Sequence, residues 1–87
     1  MYNKLLREQI VSVFNEVYKS YTKSEVVPEL RDDSVLLETG LDSIGFAILV
    51  VRLEEELGYD PFVLSLDAFY PRTFVEFLNF YGDNDPR

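Results

Sequence analysis

Residues 36–58 read LLETGLDSIGFAILVVRLEEELG, a glycine-punctuated approach followed by a run of helical periodicity and a closing glycine. Asp42 or Ser43 can cap the start of a helix over 43–57, and Gly58 suits its C′ position. Gly40 suits a turn with positive φ just before it. Phe46, Leu49, Val50, Leu53 and Leu57 follow the i, i+3, i+4, i+7, i+11 pattern of a core-facing stripe. Ile44, Ala47, Ile48 and Val51 form a second apolar stripe, rotated away from the first. A helix buried almost all round would show such a pattern, and so would one with an exposed apolar strip. The second reading is preferred. Gly45 within this helix should cost roughly 0.5–1 kcal/mol relative to alanine.

Upstream, Leu6, Ile10, Val13, Phe14, Val17 and Tyr21 recur at helical spacing with polar residues between them. That pattern predicts an amphipathic helix over roughly 3–20, with Asn3 as its cap. From Thr22 to Asp42 the period is lost. A connection this long is more often functional than idle. It carries Val26, Val27, Leu30, Val35, Leu36, Leu37 and Leu41, which predict that it is pinned onto the core. Downstream, Asp60, Pro61 and Phe62 read as a turn, and Ser65 as the cap of a short helix over Leu66–Tyr70 ended by Pro71. Thr73 and Glu76 match the capping box T-x-x-E. They open a last helix with Phe74, Phe77, Leu78 and Tyr81 inward and Gly82 at its end. Val26–Val27 and Val35–Leu37 are too short to build a sheet. The predicted fold is all-α, with three main helices, one short helix and a long loop between the first two.

The chain has 87 residues, room for one core, so residues 1–87 are read as a single domain. Cysteine and histidine are absent. Disulfides, thiolate chemistry, an imidazole base and a His-based zinc site are thereby excluded. Sixteen acidic against eight basic residues leave a net charge of −8, which disfavours nucleic acid and anionic membrane surfaces. Such a field steers in partners with Arg- and Lys-rich patches. The start MYNKLLREQI is too polar for a signal peptide, and no run approaches the roughly 20 apolar residues that span a bilayer. A cytoplasmic location is expected. With no Pro- or Ala-rich linker at either end, the chain reads as free-standing and is expected to be a monomer.

The pattern LLETGLDSIGF, followed by a helix ending LEEELGY, resembles the acyl and peptidyl carrier proteins. The resemblance centres on Gly40-Leu41-Asp42-Ser43-Ile44, where the family usually reads G-x-D-S-L and Ile44 replaces the leucine. It extends over nearly the whole chain: helix, long loop, serine at the start of the second helix, short helix, and a last helix introduced by Pro71-x-Thr73. The resemblance implies an acyl-carrier-like helical bundle in which Ser43 receives 4′-phosphopantetheine from coenzyme A through a phosphopantetheinyl transferase. The arm's thiol would then carry acyl or aminoacyl thioesters between enzymes of a fatty-acid, polyketide or other specialised pathway. Asp42 would be part of the cofactor-binding site, by capping the helix or through recognition by the transferase. Positions matching Ile44, Ala47 and Val51 often contact partner enzymes in the family; Ile48 shares their face. Glu54 and Glu55 extend that surface, with Glu56 beside them. Carboxylates in a last helical turn oppose the macrodipole at roughly 0.3–1 kcal/mol each, which suits an acidic patch read by acyl-loading ligases or synthases with basic docking patches.

The sequence departs from the family's pattern where many acyl carriers place acidic residues: those turns hold Gly45, Phe46, Ala47 and Ile48. More apolar docking favours a dedicated ligase or a small specialised pathway over an ordinary fatty-acid synthase. The alternative is an unmodified carrier-like interaction module. An enzyme acting alone would have only carboxylates and tyrosines for acid–base work, with no metal cluster or phosphate-binding loop, and is not expected.

Overall fold

The computed structural model describes residues 3–64 and 71–86. Helix α1 runs Lys4–Thr22, α2 Ser43–Leu57, α3 Pro61–Leu64 and α4 Phe74–Asp83, with a 3-10 turn at Leu36–Glu38 in the long connection. The predicted all-α architecture is therefore what the chain adopts. Among the described residues the only strand-like pairing is one isolated bridge between Val35 and Thr73.

Each main helix starts where a side chain can satisfy its free amides. Asn3 Oδ1 accepts from Leu6 N–H at 2.8 Å, opening α1 as predicted. The helix ends at Lys23, held in the left-handed region at φ 63°. Asp42 opens α2 and Gly58, at φ 86°, closes it. Thr73 opens α4 with both halves of the capping box formed.

Leu6, Ile10, Val13, Phe14 and Val17 of α1 meet Leu49, Leu53 and Leu57 of α2 and Phe74, Phe77, Leu78 and Tyr81 of α4 in one core. Phe46 and Phe62 join the edge of this core, where Phe46 packs edge-on to Phe77, and Phe62 lies 4.9 Å from Phe80. The Tyr59 hydroxyl donates to the Tyr81 carbonyl at 2.9 Å. The Tyr81 hydroxyl itself is buried without a partner among the described residues, and burial pushes its pKa up. No helix among the described residues is long and apolar enough to cross a membrane.

Four expectations need correction. Residues Asp60–Phe62 are not a free turn. Asp60 Oδ1 accepts from Phe62 N–H at 2.8 Å, and Pro61, whose missing N–H costs nothing in a first turn, opens α3. Gly82 does not end the last helix, which continues to Asp83 and closes at Asn84, whose side-chain and backbone N–H groups both donate to the Phe80 carbonyl. The long connection is pinned onto the core as expected, through Leu30, Leu36 and Leu41 with Val27 packed against them, but Val35 is only half-buried, and Val26 and Leu37 face solvent. Val50 is half-buried at the flank of α2 and lies outside the core. The helix expected at Leu66–Tyr70, with its Ser65 cap, lies outside the described residues.

Candidate functional site

Ser43 is the first residue of α2, and its side chain is exposed. The residue before it makes the cap. Asp42 Oδ1 accepts from Gly45 N–H at 2.9 Å, so Asp42 caps α2 and Ser43 is left out of the capping bond. The first turn of α2 contains no acidic residue, so its partial positive end is opposed only by the capping carboxylate.

The turn is also held from α1. The Tyr21 hydroxyl donates to both Asp42 oxygens, at 2.8 Å to Oδ1 and 2.9 Å to Oδ2. The Gly45 N–H, and after it the Tyr21 hydroxyl, hold the Asp42 carboxyl below its ordinary value. The same hydrogen bond, with some burial, raises the pKa of Tyr21. One turn earlier on α1, the Tyr18 hydroxyl donates to the Thr39 carbonyl at 3.0 Å. Tyr21, predicted only as an apolar member of α1, is thus half-buried and bonded to the cap of α2. Its i, i+11 spacing from Ile10 says nothing of that hydroxyl's partner.

Two glycines bracket the turn. Gly40 has φ 110°, the left-handed geometry the sequence predicts. Gly45 is helical and buried, and a Cβ on it would lie 2.6 Å from Leu41 Cδ1 and 2.9 Å from Tyr21 Cδ2. Its expected helical cost is thus accompanied by a packing need: α1 and the turn approach too closely for a side chain.

Along α2 the second apolar stripe is solvent-facing. Ile44 is 64% exposed, Ile48 40% and Val51 57%, with Ala47 exposed between them. The reading of a helix buried all round fails, because α1 and α4 cover only the Leu49–Leu53–Leu57 side. Glu54, Glu55 and Glu56 are exposed one to three turns further on. Arg52 bonds Glu16 of α1 at 2.8 Å and approaches Glu55 at 4.0 Å. An open cleft between α1 and α2 beside Ile48 is lined by Val17, Ser20, Tyr21, Lys23 and Arg52. Ser43 thus opens the helix that carries the exposed apolar stripe, Asp42 is turned to Tyr21 of α1, and the glutamates lie toward the far end of α2.

An exposed hydroxyl at the start of a helix, presented by a turn tied to α1, has surroundings that suit a phosphate group: first-turn amides and the helix dipole counter its charge, beside the one capping carboxylate. The family model described as the phosphopantetheine attachment site matches residues 8–71, most of the chain. The chain belongs to this family of phosphopantetheine-bearing carrier proteins, whose cofactor is covalently attached 4′-phosphopantetheine. No match was found among curated proteins or among solved structures.

Proposed function

We propose that Ser43 is the attachment point of the 4′-phosphopantetheine arm and that residues 1–87 form one carrier domain, which moves acyl or aminoacyl thioesters between enzymes of a fatty-acid, polyketide or other specialised pathway. The observation that carries this reading is the exposed Ser43 hydroxyl at the first position of α2, directly after a capping aspartate and inside the matched segment. In loading, the Ser43 Oγ–phosphorus bond forms as the diphosphate link of coenzyme A breaks. The serine proton passes to a base of the transferase, and the nucleotide half leaves with the other phosphate. The arm supplies a thiol that this cysteine-free chain lacks. The chain's own part is to present Ser43, since it holds no histidine to act as the base.

The partner surface is proposed to be Ile44, Ala47, Ile48 and Val51, flanked by Glu54 and Glu55. Their exposure supports this reading, as an apolar strip with a charged rim is the usual anatomy of an interface. Asp42 serves the site by fixing the start of α2. Partners are a transferase and acyl-loading enzymes with basic patches, met by a monomeric carrier in the cytoplasm.

Intact mass after incubation with coenzyme A and a broad-specificity transferase tests the assignment. One phosphopantetheine should be added to the wild type and none to Ser43→Ala. Equal labelling of the two would move the site elsewhere, and a folded wild type that takes up nothing would favour the unmodified interaction module.

A further inference from the structure

We infer that Tyr18 and Tyr21 are positioning residues for the loading of Ser43: side by side on α1, they hold the two ends of the turn that presents the serine. This inference rests on the assignment of Ser43 proposed above.

The two tyrosines are three residues apart, so they are neighbours on one face of α1. Each touches one glycine of the segment Gly40-Leu41-Asp42-Ser43-Ile44-Gly45. A Cβ on Gly40 would lie 2.5 Å from the Tyr18 hydroxyl, and one on Gly45 would lie 2.9 Å from the Tyr21 ring. Each hydroxyl also makes a hydrogen bond beside its glycine. Tyr18 donates to the carbonyl of Thr39, just before Gly40, and Tyr21 donates to both oxygens of Asp42, just before Ser43. Leu41, between the anchors, is fully buried. The segment leading into Ser43 is therefore tied to α1 and the core by two hydroxyls and one buried side chain, and Gly45 packs against Tyr21 just after it, while the Ser43 side chain stays exposed.

Phosphoryl transfer to Ser43 needs its oxygen in line with the phosphorus bond that breaks. Misplacement by about 1 Å can cost on the order of a hundredfold in rate. Tyr21 acts on this placement through Asp42. Its hydroxyl fixes the carboxylate that accepts from Gly45 N–H, and that bond sets where α2 begins. Tyr18 fixes the approach to the turn.

Steady-state loading by the transferase, with the carrier concentration varied, tests the inference. Tyr21→Phe keeps the ring over Gly45 and removes only the hydroxyl. We expect kcat/KM for the carrier to fall about tenfold, and about threefold in Tyr18→Phe, with KM for coenzyme A unchanged. Thr73→Ala, which weakens a cap remote from Ser43, should lose stability and load as the wild type does. Asp42→Ser retains a capping acceptor too short to reach Tyr21; in that background Tyr21→Phe should cause no further loss. A folded Tyr21→Phe that loads at the wild-type rate overturns the inference, as does an undiminished tenfold loss in the Asp42→Ser background. Should Tyr21→Phe fail to fold, Asp42→Ser alone replaces it: a comparable loss supports the tether and wild-type loading overturns it. If the wild type loads but Ser43→Ala loads equally, the assignment of Ser43 has failed, and this inference with it.

Discussion

Val35 and Thr73 pair as an isolated antiparallel bridge, and through it the long connection supplies what the start of α4 lacks. Leu36 N–H donates to the Arg72 carbonyl at 3.1 Å, and Phe74 N–H to the Ser34 carbonyl at 2.8 Å. Val75 N–H reaches the Asp32 carbonyl at 3.0 Å, and Glu76 N–H the Thr73 hydroxyl at 3.3 Å. The free amides of the first turn are therefore divided between a loop and a side chain. The loop that lies between the helices in sequence is a capping element in space.

Thr73→Ala removes one of these acceptors and leaves the loop carbonyls in place. It should destabilise the fold by about 0.5–2 kcal/mol. A denaturant midpoint equal to that of the wild type would show that the loop suffices to cap α4.

Gly45→Ala should also destabilise, against the direction of helix propensity. Alanine gains up to about 1 kcal/mol over glycine in a helix interior. The new Cβ, however, would press on Leu41, which is fully buried, and on the Tyr21 ring. Overpacking of this kind costs about 1–3 kcal/mol and should exceed the gain. A rise in melting temperature would mean that Leu41 yields at little cost.

Tyr81→Phe should leave stability unchanged or raise it by about 1 kcal/mol, because the hydroxyl it removes is buried without a partner among the described residues. The ring, packed against Phe77 at 4.8 Å, is retained. A loss of more than about 1 kcal/mol in thermal or denaturant unfolding would reveal a partner for that hydroxyl.

How far these features were legible in the residues differs from element to element. Asp42, Ser43 and Gly58 announced both ends of α2, and T-x-x-E announced the start of α4, because caps are local chemistry. The exposed strip of Ile44 and Val51 is the preferred reading and the structure bears it out, but periodicity alone does not carry that choice, since it marks apolar stripes without saying which neighbour covers them. Asp60-Pro61 carried a signal that was misread: an N-cap acid followed by proline opens a helix as readily as it forms a turn. Gly82 had the identity of a helix stop, but Asn84 supplies the closing bonds two residues later. Gly45 and Tyr21 were out of reach separately, because the need for a glycine and the use of the hydroxyl arise only where α1 crosses the start of α2.

Stability should fall on both sides of neutrality for reasons tied to two caps. Asp42 lies below its ordinary 3.8 because of Gly45 N–H and then Tyr21, and Glu76 below its ordinary 4.5 because of the Thr73 N–H and hydroxyl. Groups with depressed folded values contribute fully above their ordinary pKa, and that contribution is lost as pH falls through the folded value. Stability should therefore begin to decline below about pH 4.5, with the difference between wild type and Glu76→Gln shrinking as pH falls further. Tyr21 is shifted the other way: its contribution is complete below its ordinary 10.0 and is lost as pH rises through the raised value. The advantage of wild type over Tyr21→Phe in melting temperature should hold up to about pH 10 and shrink only above it, and an advantage already lost well below pH 10 would contradict the Asp42 hydrogen bond.

Ile48→Glu separates docking from packing on the open face of α2. Ile48 is 40% exposed and borders a cleft that also holds Lys23 and Arg52, so a carboxylate there meets water and cations rather than core. Stability should move by no more than about 0.5 kcal/mol, the range of ordinary surface changes. Transfer from a cognate acyl-loading enzyme should weaken, because an apolar contact becomes a charge that must be desolvated on binding. Loading of Ser43 should be less affected when the transferase approaches chiefly through Asp42–Ile44. A melting curve beside an acyl-transfer assay decides the matter. A folded mutant that is acylated at the wild-type rate by its true partner would remove Ile48 from the docking surface. A loss of several kcal/mol would instead mean that the carboxylate is denied solvent.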